Sequence, residues 1–395
     1  MVEWLLIFGL VGTGIINYPV VRNPTVEQTE DWDKSSLSKE SLLQVIKNKD
    51  CHASDKTYLA CASAVDDVGR NIGIIITPSG NFTKEWKKES SQKKRMETWV
   101  KNKNPKIDFE AIVHRLFKIT EPRTHKYLAA EGINAFLSVE KDPHTYIEPI
   151  PDDEGLNPSD ELVFEDPTDL NESDLLDLPD TGAHEEEEED DSVTMLVNKN
   201  LEMPSLLTID NFKENTCKKV NRALKKAKKE NVRNLVLDLK DNPGGIVDEV
   251  SCVCGLFLGP KPVVTLWFFN DKQKDYKKEE VPARSKKVYD GNLTVLVNEK
   301  SASASEILAG TLQHYKRATI VGEQTYGKGS FQQVVGSDFD KYKVRFRKTM
   351  GLYFLPDHKT PQIKGLTPDR FEGKKQSTYG EKEFLYPISA DVFDK

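Results

Sequence analysis

Apolar residues recur at helical spacing in the first part of the chain and in strand-like runs later, and the change of period divides it. Between 109 and 139 the apolar positions are Ile112, Val113, Leu116 and Phe117, then Tyr127, Leu128, Ile133, Phe136 and Leu137, a 3.6-residue period that predicts helices. Clusters at 42–46 and 58–62 predict two more. Beyond Met203 short apolar runs predict strands at 206–209, 235–239, 263–269, 293–298 and 318–322. Helical stretches at 211–229, 246–258 and 303–315 separate them, and this alternation predicts an α/β core. Residues 331–335 and 344–355 add late extended segments, and the polar tail after Asp369 reads as peripheral.

At 395 residues the chain is long enough for two or three domains. The apolar run 4–16 is short for a spanning helix and suits the core of an export signal or an N-terminal anchor over 1–20, although its leading residues carry Glu3 and no Lys or Arg. A mostly helical domain is expected over 21–150, with a basic surface run at 84–94. Residues 151–192 hold 19 Asp and Glu and no Lys or Arg. Against a net charge of −8, those 19 acids leave the remainder at +11. A like-charge block of this kind repels itself and is expected to be a disordered linker over 151–195, serving as a tether or as an acidic flap on the basic body. The Lys/Arg face of 211–229 is expected to face water rather than nucleic acid.

Five cysteines constrain little. A short loop can close between Cys51 and Cys61 if the protein is exported. Cys217, Cys252 and Cys254 lie in apolar helical stretches and read as buried thiols. No second Cys or His pair stands at metal spacing, so no zinc is expected. His125 and His144 read as packing or surface residues.

Candidate chemistry concentrates in 301–332. Ser303 and Glu306 fit the capping box S-x-x-E, and Ile307, Leu308, Leu312 and Tyr315 continue at helical spacing. The first amides of a helix lack intrahelical acceptors, so an oxyanion formed at Ser303 would lie beside the free N–H of Ala304. The plainer alternative is that Ser303 is only a cap. Lys328 stands between Gly327 and Gly329 in the turn leaving a strand. To act as a general base it must be neutral, and lowering its pKa of about 10.4 by ~3 units disfavours the ammonium by about 4 kcal/mol, which requires burial. Gly322 to Lys328 also fits most of a phosphate-binding loop, but Gly329 replaces the Ser/Thr and an extended segment follows, which argues against an ATPase. His314 is eleven residues beyond Ser303, about 16 Å along one helix at 1.5 Å per residue, too far for a Ser–His pair.

The segment 301–333 resembles the active-site segment of the carboxyl-terminal processing proteases (tail-specific proteases). The likeness extends to Leu235-Val236-Leu237-Asp238-Leu239-Lys240-Asp241-Asn242-Pro243-Gly244-Gly245, to Gly365-Leu366-Thr367-Pro368-Asp369, and to Asp142-Pro143-His144-Thr145. The resemblance implies a crotonase/ClpP-like α/β catalytic core over 196–372, with a tail from 373 to 395. It implies a serine endopeptidase in which Ser303 is the nucleophile, Lys328 the base, Gln332 the residue that orients the lysine, and the N–H groups of Gly244 and Ala304 the oxyanion hole. Protein or peptide substrates, no metal or organic cofactor, and an exported, periplasmic or envelope-associated location with membrane attachment through the N-terminus go with it. Two departures stand out. His314 occupies a position where an acidic residue is expected, and the acidic block stands where the family carries a PDZ domain. A catalytically idle peptide-binding or scaffold protein is the competing expectation.

Overall fold

The computed structural model describes residues 21–83, 91–151, 192–198, 203–269, 277–373, 380–384 and 386–390. The apolar run 4–16, residues 84–90 of the basic run and the acidic block 152–191 lie outside the described residues. The chain divides into two units.

The first unit collects the described residues up to 151 with Gln332–Thr349 and Phe384–Tyr386. It contains α1 (Val26–Glu30), α2 (Lys39–Lys47) and α3 (Asp55–Asn71), a ribbon of β1 (Ile75–Ile76) and β2 (Phe82–Thr83), then α4 (Gln92–Lys101), α5 (Phe109–Lys118), α6 (His125–Glu140) and β3 (Tyr146–Glu148). Side chains cap the helix starts where the sequence offers an oxygen: Ser54 Oγ accepts from Thr57 N at 3.1 Å, and Asp108 Oδ1 from Ala111 N at 2.9 Å. Tyr58, Leu59, Cys61, Val65 and Val68 of α3 are buried with Leu128, Ile133 and Phe136 of α6 in one core. Each such large apolar side chain is worth roughly 1.5–3 kcal/mol when fully buried. Cys51 and Cys61, whose pairing the sequence left open, form a disulfide with Cα atoms 6.0 Å apart. His125 packs edge-on against Phe117 and His144 against Phe384.

The second unit contains β4 (Val193–Leu196), β5 (Ser205–Ile209), α7 (Thr216–Lys229), β6 (Asn234–Asp238), α8 (Val247–Leu258), β7 (Pro262–Phe268), β8 (Lys278–Pro282), β9 (Asn292–Val297), α9 (Ala304–His314), β10 (Thr319–Gly322), the first residues of β11 (Ser330–Val335), the last of β12 (Arg345–Phe354), and β13 (Arg370–Phe371). Among the described residues one sheet has the order β13-β10-β9-β6-β5-β4, parallel throughout except that β4 runs antiparallel to β5. The strand–helix alternation in the sequence therefore becomes an α/β core. Its interior is built from Leu235, Leu237, Val295 and Val297 of the strands with Val250, Val253, Phe257, Ile307 and Leu308 of the helices. Residues 351–354 of β12 pair antiparallel with β7, which also pairs with β8. In the first unit, residues 345–347 of the same strand pair with β3.

Three expectations are corrected. Cys217 and Cys252 are not thiols: they form a disulfide with Cα atoms 5.9 Å apart, joining α7 to α8, and only Cys254 stays a buried thiol. Thirty-five residues separate the pair, so only the fold brings them together. The helix expected from 211 starts at Thr216, because Phe212 donates its N–H to Gly244 O (2.9 Å) and accepts from Ile246 N (2.8 Å). The tail is not wholly peripheral either. β13 adds to the sheet, and Glu381 is fully buried, accepting from Gln362 Nε2 at 2.9 Å.

Candidate active site

Neighbouring parallel strands end at the same edge of a sheet, so the loops that follow them are neighbours too. Here β6, β9 and β10 are adjacent, and the loops leaving their carboxyl ends carry Gly244, Ser303 and Lys328 respectively. Side chains staple the first two loops. Ser301 Oγ donates to Leu239 O (2.7 Å), Asp241 N donates to Asn298 Oδ1 (3.0 Å), and Asn242 O accepts from Ala302 N and Ser305 Oγ, both at 3.0 Å.

Ser303 is half-buried and has φ +53° and ψ −116°. A non-glycine residue in such a region carries of order 1–3 kcal/mol of strain. Nucleophilic serines on sharp strand-to-helix turns are held in the same way, with the hydroxyl projected away from the backbone. Gly244 is pressed against this turn: a Cβ added there would lie 2.7 Å from Ser303 Cβ and 2.9 Å from Ala304 N, so only glycine fits, and its φ of +107° needs glycine as well. Gly245 is equally constrained, since a Cβ would come 2.1 Å from Phe212 O.

Ala304 N–H is the first amide of α9 and so has no acceptor within the helix. Gly244 N–H, in contrast, donates to Asn242 Oδ1 at 2.8 Å. Asn242 is fully buried and is itself held through Nδ2 to Ile209 O at 2.7 Å.

Two buried side chains join the Ser303 turn to the Lys328 loop. Glu306 Oε2 accepts from Ser303 N and from Lys328 N, each at 2.9 Å. Its Oε1 accepts from Thr325 Oγ1 (2.5 Å) and Gly327 N (2.8 Å). Burial pushes the Glu306 carboxyl up to about 7, against the pull of these four donors. Tyr353 on β12 supplies the second link: its hydroxyl donates to Lys328 O (2.9 Å) and to Ser303 O (3.2 Å). Burial raises this phenol well above its ordinary range, and the negative charges of Glu306 and Glu381 add to that, so it stays a donor.

Lys328 is half-buried, between the buried Gly327 and Gly329. The structure thus brings Ser303, Ala304, Gly244 and Lys328 together. Gln332, four residues along the chain, is counted with the first unit, where its Nε2 donates to Thr349 Oγ1 (3.4 Å). Thr349 Oγ1 in turn donates to Asp142 Oδ1 (2.7 Å), and Thr145 Oγ1 to Asp142 Oδ2 (2.6 Å), which gives the Asp142-Pro143-His144-Thr145 motif a bonded role.

Residues 205–370 match the family model of peptidase family S41. This segment is an S41 peptidase domain. Over 168 residues the chain is 35% identical to a protein of Staphylococcus epidermidis named "Probable CtpA-like serine protease", a match that spans 42% of this chain and 32% of the relative. A protein of the same name from Staphylococcus aureus is 34% identical over 166 residues, again 42% of this chain and 32% of the relative. The chain thus spans about a third of the length of the curated relatives it matches. Among solved structures, the photosystem II D1 C-terminal processing protease aligns with 26% identity and a TM-score of 0.40, over 46% of this chain and 48% of that one.

In the sequence Glu306 reads as a cap, and neither Tyr353 nor Asn242 stands out from its neighbours. The capping box was the visible signal for Glu306. Nothing local marks Tyr353, which lies fifty residues from Ser303.

Proposed function

We propose that the S41 domain is a serine endopeptidase of the carboxyl-terminal processing type, with Ser303 as nucleophile and Lys328 as general base. In this reading neutral Lys328 takes the proton from Ser303 as the hydroxyl attacks a peptide carbonyl. The tetrahedral oxyanion is stabilised by Ala304 N–H at the start of α9, and collapse leaves an acyl-enzyme. In that collapse Lys328 returns the proton to the amine as the C–N bond breaks; it then takes a proton from the water that attacks the acyl-enzyme and gives it to Ser303 Oγ as the acid is released. Gly244 N–H can join as second donor by shifting from Asn242 Oδ1, or by sharing its proton between the two acceptors. No metal or organic cofactor takes part.

The observation that carries the reading is the backbone of Ser303. A cap alone needs no positive φ, whereas a projected nucleophile does. Two disulfides among the described residues fit an oxidising compartment and support export to the periplasm or cell envelope. No helix among the described residues is long and apolar enough to cross a membrane, so attachment would fall to the N-terminal run. The test is incubation of the purified protein with an unfolded protein substrate, followed by mass spectrometry of the products. Cleavage by the wild type and none by a folded Ser303→Ala variant is expected. Equal cleavage by both, or none by either, would leave the idle scaffold or a different site as the better account.

A further inference from the structure

Four backbone groups at the site share two side-chain partners. Ser303 and Lys328 both give their N–H to Glu306 Oε2, and both offer their C=O to the Tyr353 hydroxyl. One carboxylate oxygen therefore sets where two amides lie, and one phenol proton sits between two carbonyls. Both side chains are almost without solvent exposure, so water cannot readily replace either contact. β12 is itself held against the Lys328 loop, because Tyr353 N donates to Gly329 O at 2.8 Å.

We infer that Glu306 and Tyr353 are positioning residues forming a two-point clamp that holds the nucleophile turn and the base loop at one separation. The inference rests on the Ser303–Lys328 reading and adds to it the means by which the pair is aligned. Neither residue touches substrate. Glu306 grips the amide side of the two residues and Tyr353 the carbonyl side, so losing either leaves one hinge about which Lys328 can drift. A displacement of about 1 Å at a reacting pair can cost ~10²-fold in rate. Substrate binding does not pass through these contacts, so the loss belongs in kcat.

The test is steady-state cleavage of a peptide substrate by the full chain carrying Tyr353→Phe, Glu306→Gln or both, with Ser303→Ala as the blank and folding checked by thermal melting. Each single change is expected to lower kcat by about 10–100-fold with KM within about twofold, on the displacement argument above. The double variant is expected to lose more than the worse single but less than the product of the two losses, because both act on one separation. Both changes nearly keep side-chain volume, and if one fails to fold the other carries the same kcat-only expectation. A folded Tyr353→Phe protein with wild-type kcat beside an inactive Ser303→Ala overturns the clamp and leaves the nucleophile standing. So does a double variant whose losses multiply. Retained cleavage by Ser303→Ala overturns the nucleophile assignment, and the clamp with it.

Discussion

Ser54 and Ser303 each open a helix, and in each case a side chain three residues on reaches back to the cap amide. Ser54 N donates to Thr57 Oγ1 at 3.1 Å, Ser303 N to Glu306 Oε2 at 2.9 Å. Their backbones differ completely. Ser54 has φ −151° and ψ 166°, the extended geometry of an ordinary cap, and its hydroxyl accepts Thr57 N. Ser303 has φ +53°, and the carboxylate that reaches back to it also binds the Lys328 loop. The first arrangement uses the serine to finish a helix. The second uses the helix to finish a site. A capping box in sequence does not separate the two; the contacts of the N3 side chain do.

Exchange of each serine for alanine sharpens the contrast. Ser303→Ala is expected to remove peptide cleavage while the protein stays folded, whereas Ser54→Ala is expected to leave kcat unchanged and to cost about 1 kcal/mol of stability, read from denaturant midpoints. Gly244→Ala comes next in size. Its Cβ would collide with Ser303 Cβ at 2.7 Å, so activity should fall by at least ~10², the order expected for losing an oxyanion donor. A normal rate in that variant would detach Gly244 from the site.

The disulfides extend the comparison to the two units. The loop-closure model assigns about 4 kcal/mol to the Cys217–Cys252 bond and about 3 kcal/mol to the shorter Cys51–Cys61 loop. Alanine at both members of each pair, with melting measured, should therefore destabilise more in the second unit than in the first.

The last expected effect is on pH dependence. Burial pushes Asp67 on α3 up to about 7, with the charges of Glu131 and Asp66 adding and those of Arg95 and Arg70 opposing. A carboxyl whose folded-state pKa is raised binds its proton more tightly when folded, so its contribution is most favourable below the unfolded value. It declines as pH rises towards 7 and then levels off. Wild-type stability should fall over that window, and Asp67→Asn should flatten the fall; an unchanged slope would contradict the shift.

Much of this was legible because the informative residues are local. The S-x-x-E box, the G-K-G turn and the N-P-G-G turn each sit within a few positions, and strand–helix alternation announced the α/β core that aligns them. What escaped depends on pairings across the fold. Tyr353 meets Ser303 and Lys328 only because β12 runs beside the Lys328 loop, and Cys217 meets Cys252 only because α7 packs on α8. The hydrogen bond from Gly244 N to Asn242 Oδ1 spans only two residues, yet turn composition does not show which acceptor an amide will take. Periodicity reports which face of an element is apolar, not which polar atom it will meet.

The central claim is that Ser303 is activated by Lys328, and the most direct measurement is a map of covalent labelling. The wild-type protein, Lys328→Arg and Ser54→Ala would each be treated with a fluorophosphonate and the adduct located by mass spectrometry over time. The expected result is a single adduct on Ser303, formed at the wild-type rate in Ser54→Ala and at least ~10²-fold more slowly in Lys328→Arg, the lower range for loss of a general base. An adduct on another residue, or equal rates in wild type and folded Lys328→Arg, would contradict it.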